Sequence, residues 1–402
     1  MLGCFDTKAA DFHYLYTCLK KQGLAIIAIN TGVLGSTDLF PVTHETAEIA
    51  ELGGGRLQHL REANDRGQAL EVMGKGAGLL VSRLYAANEI AGVIGMGGGG
   101  GTYLFLAAMQ QLPFGLPKIC LSTLATKDLS GQVLNKDIVL IPSIVDVAGL
   151  NKISRILINQ AAGALAGMIP AGMPEAQASK GTIAISTFGN TSPCVDACSA
   201  LLTAQGYEVM TFHAVGAGGR TMEALIRENC FDAVLDITTT ELADELCGGI
   251  CSAGPDRLTA AAEMNLPQVV VPGCLDMVNF GTLDSVPEKY QSRLLFSWAP
   301  DVTLLRTNEA ENSLLGRVVA QKLNRSRRKA TLLFPLKGIS KVSRPGEVFF
   351  HPEADQALLS TLKSSVADHI QLIEMDTHIN DPEFAQLAVA ELLRLLDAET
   401  IV

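Results

Sequence analysis

The chain has 402 residues and carries 31 Lys and Arg against 42 Asp and Glu, a formal net charge of −11. That balance argues against nonspecific binding to nucleic acid, and no run reaches the roughly eighteen apolar residues that a membrane span needs. At 48% apolar and 18% charged, with 38 glycines and 16 prolines, it reads as a loop-punctuated globular chain long enough for two domains.

In chain order, Lys8 to Gln22 reads as a helix and Leu24 to Asn30 as an apolar strand. A polar, glycine-rich stretch from Leu52 to Arg66 leads into a helix from about Gly67 to Glu89. An apolar strand around Val93 then runs into five consecutive glycines, Gly97 to Gly101, and a helix begins near Tyr103. Pro117 to Ser122 and Ile138 to Ile141 read as strands, and Leu150 to Met168 as a helix ending before Ile169-Pro170. Pro170 to Gly181, with small residues and no apolar period, reads as a linker.

Beyond it the alternation resumes. Strands are expected at Thr182 to Thr187, Tyr207 to His213, Ala233 to Ile237, Gln268 to Val271, Val302 to Leu305, Thr331 to Phe334 and Gln371 to Met375. Helices run through Cys198 to Gln205, from Thr221 to Asn229, from Asn308 to Asn324 and from Pro382 to Leu396. Apolar runs without period-2 alternation, separated by helices, predict parallel sheets covered on both faces. The expected fold is α/β, with two doubly wound domains at residues 1–175 and 176–402 and mainly parallel sheets. Ligands then belong in the crevice at the carboxyl ends of the strands.

The polyglycine stretch is the most informative local feature. A strand that ends in side-chain-free backbone and enters a helix leaves N–H groups bare at a partially positive helix terminus. Five glycines carry an entropic cost, and the plain alternative is a flexible connector. The stretch is neither a Walker P-loop nor a G-x-G-x-x-G fingerprint with its acidic residue, so its spacing suggests an anion without naming one. Other strand ends bring Asp6-Thr7-Lys8, Asn30-Thr31-Gly32, Ser122-Thr123 and Pro142 to Asp146 to the same edge, with Thr126-Lys127-Asp128 close behind. Ser, Thr and Lys ligate phosphate, while Asp6 and Asp146 are oxygen donors suited to Mg²⁺. Each has a plainer role: Ser143 and Asp146 suit helix N-caps, Asp6-Thr7-Lys8 suits a helix opening, and Lys127 a solvated loop.

A second glycine turn, His213 to Arg220, follows a strand and opens a helix. Gly216, Gly218 and Gly219 let the backbone approach an anion, and Arg220 offers a bidentate fork. His213 is either an acid/base candidate or a structural strand-end histidine. Thr187 to Cys194, Thr238 to Glu241 and Asp276 to Gly281 stand in neighbouring loops, without Ser–His–Asp order or a G-x-S-x-G elbow. Cys194 precedes a helix, where a thiol pKa can fall. The pairs Cys194/Cys198 and Cys247/Cys251 have helical spacing but no adjacent histidine, so they read as core rather than zinc ligands. Nine cysteines without a C-x-x-C pair, and an N-terminus without an export signal, predict reduced thiols and a cytoplasmic setting. The basic run Arg325 to Lys329 reads as a solvated turn.

The ordered set Asp6-Thr7-Lys8, Asp65-Arg66-Gly67, Gly95 to Thr102, Ser122-Thr123, Val145 to Asn151 and Pro193-Cys194-Val195 resembles the UPF0261 family of Tm-1-like ATP-binding domain proteins. His213 to Arg220, Pro272-Gly273 with Asp276 to Gly281, and His378-Ile379-Asn380-Asp381 carry the resemblance to the C-terminus. It implies two Rossmann-like domains, ATP with Mg²⁺ as ligand, and a homodimer. It also implies the stand-alone form, without the TIM-barrel domain of plant and fungal members. On this reading Gly97, Gly98, Gly99, Gly100 and Gly101 cradle the phosphates, with Thr102 at the helix start. Asp6, Thr7, Lys8, Ser122, Thr123 and Asp146 line the same crevice. Gly216, Gly218, Gly219 and Arg220 then hold a second ligand, a small acidic metabolite, and His213 and Arg220 are the catalytic candidates. Two departures stand out: few residues precede Asp6 for a first strand, and Gly99-Gly100 stands where the family often has a serine. Two functions compete. One is a nucleotide-responsive binding protein; the other is an enzyme of small-molecule metabolism, using ATP or a phosphate or carboxylate substrate between the domains.

Overall fold

The computed structural model describes residues 1–171, 179–327 and 330–397. Most of the expected linker, residues 172–178, and positions 328 and 329 of the basic run lie outside them. The chain divides into two units, Met1–Ala176 and Gln177–Val402.

The first unit runs β1 (Leu2–Gly3), α1 (Ala9–Lys21), β2 (Ile29–Asn30), α2 (Thr46–Leu52), α3 (Leu57–Ala63) and α4 (Arg66–Ala86). It continues through β3 (Val93–Gly97), α5 (Gly99–Met109), β4 (Lys118–Ser122), α6 (Ser130–Val133), β5 (Val139–Pro142) and α7 (Lys152–Ala171). The strands form a parallel sheet in the order β2-β1-β3-β4-β5. β3 and β4 are buried at every residue, as unalternating apolar runs require when helices cover both faces. One face packs on Ile49, Met73, Leu104 and Phe105, the other on Phe5, Phe12, Leu15 and Ile158. Lys118 is the polar exception within β4. Its buried ammonium is anchored on Pro113 O at 2.7 Å, Leu116 O at 2.9 Å and Asp137 Oδ1 at 2.5 Å.

Several expectations shift here. Only Ile29–Asn30 of the Leu24–Asn30 run joins the ladder, because its partner β1 is two residues long and the Met1 ammonium takes Ile27 O instead. The glycine-rich stretch before Arg66 contains a helix, α3. Its glycines serve close packing: a Cβ on Gly53 would stand 2.0 Å from Val72 O, and one on Gly76 1.9 Å from Ile49 O, so α2 and α4 cross at backbone contact. The helix after the polyglycine begins at Gly99 rather than Tyr103, and α7 continues through Pro170.

The second unit opens with β6 (Thr182–Thr187), α8 (Ser192–Ala204), β7 (Glu208–His213), α9 (Ala217–Arg227), β8 (Ala233–Thr238), α10 (Thr240–Cys247), α11 (Ala260–Glu263) and β9 (Gln268–Gly273). Then come β10 (Met277–Phe280), β11 (Leu295–Ala299), β12 (Val302–Arg306) and α12 (Glu309–Leu323). β13 (Ala330–Pro335), α13 (Pro352–Ser365), β14 (Ile370–Met375) and α14 (Pro382–Asp397) follow. The main sheet is parallel, in the order β14-β13-β9-β8-β6-β7. Val302–Leu305, expected in that series, lies instead in an antiparallel β10-β12-β11 sheet. Only Pro300 and Asp301 separate β11 from β12, a connection that makes a hairpin and cannot make a parallel crossover. Asn308 accounts for the sharp start of α12 through a complete capping box with Glu311.

Candidate functional site

In the first sheet the strand order reverses between β1 and β3, since β2 lies on one side and β4 and β5 on the other. Open α/β sheets hold ligands at such a point, beyond the strand carboxyl ends. A cleft of about 590 Å³ lies there, bounded by the loops after β1, β2 and β3 and by residues 60 to 73 of α3 and α4.

The polyglycine forms its inner wall. Gly97 ends β3, Gly98 is the N-cap, and α5 begins at Gly99 without any side-chain cap. The first N–H groups of a helix have no intrahelical acceptor, so this turn presents bare donors and the positive end of a helix dipole. The glycines divide by cause. A Cβ on Gly95 would stand 2.4 Å from Phe105 Cδ2, and one on Gly97 2.7 Å from Gly101 Cα, so packing demands both. At Gly98 the nearest atoms, Asp146 Oδ1 and Thr123 Oγ1, are 3.8 Å away, and at Gly99 the nearest is 4.0 Å away. Gly98 also has an ordinary φ of −75°. Among the described residues nothing stands closer than 3.8 Å to a Cβ at either position, and both border the cleft.

Charge gathers around that turn. Arg66 lies against it, with Nη2 2.9 Å from a Cβ position on Gly100, and Lys8 and Arg61 line the same cleft. Leu60, Leu70, Met73 and Leu104 make an apolar wall. Asp6 also lines the cleft, but its carboxylate is engaged, accepting from Thr7 N at 2.7 Å and Leu34 N at 2.9 Å. A Cβ on Gly32 would stand 2.3 Å from Asp6 Oδ1, so Asp6 staples the loops after β1 and β2 together. Asp65 caps α4 through Gln68 N. Asp146 is exposed on the rim.

Of the expected site residues, Asp6, Thr7, Lys8, Gly97 to Gly101 and Asp146 line the cleft. Thr102 and Ser122 do not. Both are buried, with their hydroxyls 2.6 Å apart, and they pin α5 to β4 behind the turn. Thr102 also donates to Gly97 O at 3.3 Å. Thr123 fixes the turn through its own N–H to Gly97 O at 3.2 Å. Lys127 is exposed and outside the cleft. The N-cap role considered for Ser143 and Asp146 belongs to Asn151, whose Oδ1 accepts from Ile153 N and Ser154 N. Residue-by-residue reading missed Arg61 and the apolar wall, and Arg66 stood only within a motif. The available signal was the helical spacing of Leu57 and Leu60 and of Ala69 and Met73.

The second glycine turn is built differently. Gly216, at φ +84°, donates its N–H to Glu241 Oε1 at 2.7 Å, and Gly219 donates to the same atom at 3.1 Å. A Cβ on Gly219 would stand 2.0 Å from Glu241 Oε2, and one on Gly218 1.9 Å from His213 O. These glycines have an internal cause, and the anion they hold is the protein's own Glu241. Burial raises the Glu241 pKa against the opposing pull of Arg257, whose Nε lies 2.6 Å away. His213 is exposed beside Phe188, and Arg220 is exposed with Nη1 on Ser252 O at 2.9 Å.

Cys194 is buried, and its hydrogen bond with Cys198, together with burial, pushes its thiol well above the usual range. Burial likewise pushes Cys247 up to about 11 and Cys251 to about 12. Among the described residues no group of three or more His, Cys, Asp and Glu side chains gathers as a metal site, and no helix is long and apolar enough to cross a membrane.

Comparison with known proteins places the chain. The model described as "Uncharacterised protein family (UPF0261) N-terminal domain" matches residues 1–174, and its C-terminal counterpart matches residues 180–396. A UPF0261 protein of Clostridium tetani is 44% identical over 398 residues, covering 99% of this chain and 98% of that protein. One from Rhizobium meliloti is 41% identical over 97% of each. The tomato protein named ToMV resistance protein Tm-1(GCR237) is 37% identical over 83% of this chain, which spans 45% of that longer protein. The chain therefore belongs to the UPF0261 family.

Proposed function

We propose that the cleft of the first unit binds a nucleotide, ATP with Mg²⁺, and that the protein acts as a nucleotide-responsive binding protein. The observation that carries this reading is the pair Gly98 and Gly99, which lack side chains at a helix N-terminus where the protein's own packing leaves room for them. A phosphate group on the bare amides accounts for that economy of side chains. Arg66 and Lys8 supply cationic donors to the phosphates, and Leu60, Leu70, Met73 and Leu104 give a base an apolar wall. Asp146 stands at the rim beside Gly98, within reach of a phosphate-bound Mg²⁺ through its hydration shell.

Isothermal titration calorimetry with ATP and Mg²⁺ tests this. Wild type gives a binding isotherm, and Gly98→Val or Gly99→Val weakens it by about tenfold or more, with the unfolding midpoint held as the control for folding. Absence of heat from wild type, or unchanged affinity in both variants, overturns it.

A further inference from the structure

A second cavity, about 270 Å³, lies in the second unit beyond the carboxyl end of β13. It is smaller than clefts that hold nucleotide-sized ligands. Phe334 and Leu359 form its apolar base, and Leu336 and Phe350 its rim, both nearly half exposed. Exposed aromatic and aliphatic side chains at the mouth of a cavity are a recurrent mark of ligand sites.

Two residues of opposite charge line this small space. Asp355, in the first turn of α13, is one-fifth exposed; its Oδ1 takes Arg306 Nη2 at 2.6 Å. Its Oδ2 has no hydrogen-bond donor among the described residues. Arg306 is buried and fully engaged elsewhere, on Phe349 O at 2.8 Å and on Thr307 O and Oγ1 at 3.2 Å, so it fixes the carboxylate without filling the cavity. Lys337 is half exposed and places its ammonium on Asp376 O and Oδ2, both at 2.9 Å. An ammonium has three donors, so one proton remains. The N–H of Gly338 beside it has no acceptor among the described residues. Gly338 has φ +124°, and a Cβ there would stand 2.9 Å from His378 Cδ2, so a larger residue at this position is strained.

The lining thus offers an acceptor on one side and cationic and amide donors on another, over an apolar base. A purely anionic ligand meets Asp355, and a purely cationic one meets Lys337; a ligand carrying both charges satisfies each. We propose that this cavity binds a small zwitterion of the α-amino-acid type, with its ammonium on Asp355 and its carboxylate on Lys337 and the Gly338 amide. An apolar side chain then rests against Phe350 and Leu336. Burial raises the Asp355 pKa while Arg306 opposes it, and a ligand ammonium acts in the same sense as Arg306.

Calorimetry of the full chain with the standard amino acids tests this, each alongside its α-amide, which lacks the carboxylate, and its α-hydroxy acid, which lacks the ammonium. At least one apolar amino acid binds, and both analogues of it bind about tenfold or more weakly. Lys337→Met and Phe350→Ala lower the affinity by a similar factor, with unfolding midpoints near wild type because both side chains are exposed. Failure of every amino acid at millimolar concentration overturns the proposal. So does equal binding of either analogue, or unchanged affinity in both variants. The nucleotide reading stands or falls separately, since it rests on other residues and another ligand.

Discussion

The guanidinium of Arg257 meets the carboxylate of Asp236 edge to edge, with Nη1 2.5 Å from Oδ2 and Nη2 2.7 Å from Oδ1. Both side chains are buried, and Glu241 and Glu223 close on the same cation at 2.6 and 3.2 Å. Each carboxylate has further donors: Ser186 Oγ to Asp236, the amides of Leu258, Thr259 and Ala260 to Glu223, and two glycine amides to Glu241. One arginine therefore ties α9, β8 and α10 of the second unit together. Arg257→Met leaves three buried carboxylates without a cation and lowers stability by about 3–5 kcal/mol. Arg257→Lys does not restore it, because an ammonium cannot reproduce the planar two-point contact. Urea unfolding reads both, and a wild-type midpoint for the methionine variant would show that the cluster does not hold the unit together.

Two buried carboxyls contribute a loss of stability with rising pH in a definite window. Burial pushes Asp244 up to about 7 and Asp276 up to about 6. A carboxyl whose pKa rises on folding binds more protons folded than unfolded, so its ionisation costs stability as pH climbs from about 4 to about 7. For Asp244 the loss is on the order of a few kcal/mol. Asp244→Asn removes that slope. Its amide can donate to Asn279, whose Oδ1 is buried without a partner and whose side chain already meets Asp244 Oδ2 at 2.8 Å. Chemical denaturation at pH 5 and pH 8 compares the two proteins; equal pH slopes would count against Asp244 as the source.

The loop after β5 stores strain beside the cleft. Ile144 has φ +63° and is 73% exposed, inside a three-residue turn closed by Val145 N–H to Ser143 O at 2.6 Å. A β-branched residue in left-handed backbone costs about 1–2 kcal/mol, and this one gains little from burial. Ile144→Gly therefore raises stability by about 1 kcal/mol once the added freedom of the unfolded chain is subtracted. Thermal unfolding measures it, and a lower midpoint would mean that Ile144 makes contacts that outweigh the strain.

The sheets were legible because β3, β4, β8 and β9 are buried on both faces and so read as unbroken apolar runs. The cleft was legible for a related reason, since the polyglycine interrupts one such run where a helix begins. Which face a polar residue takes was not legible. Thr102 and Ser122 have the chemistry of phosphate ligands yet bond each other behind the turn. β12 was misplaced because a buried strand in a hairpin looks like any other buried strand, and its partner β10 is only four residues long. Glu241 lies 25 residues beyond Gly216 in the chain, and no local pattern announces that its carboxylate fills that turn.

The two glycine turns make opposite predictions for the same chemical change. At Gly99 an added methyl meets nothing closer than 4.0 Å, in a helical first turn with permitted backbone, whereas at Gly219 it meets Glu241 Oε2 at 2.0 Å in the core. Gly99→Ala removes conformational freedom from the unfolded chain and stabilises by about 0.4–1 kcal/mol. Gly219→Ala forces Glu241 off the turn amides and away from Arg257, and destabilises by about 1–3 kcal/mol or more. Nucleotide affinity separates the variants the other way. If the cleft binds nucleotide as proposed, Gly99→Ala weakens that affinity by adding a methyl to the glycine turn that borders the cleft, while Gly219→Ala changes none of the cleft residues. Paired denaturation and calorimetry read both axes. A stabilised Gly99→Ala protein that still bound nucleotide with wild-type affinity would leave the bare backbone at that position without a ligand to explain it.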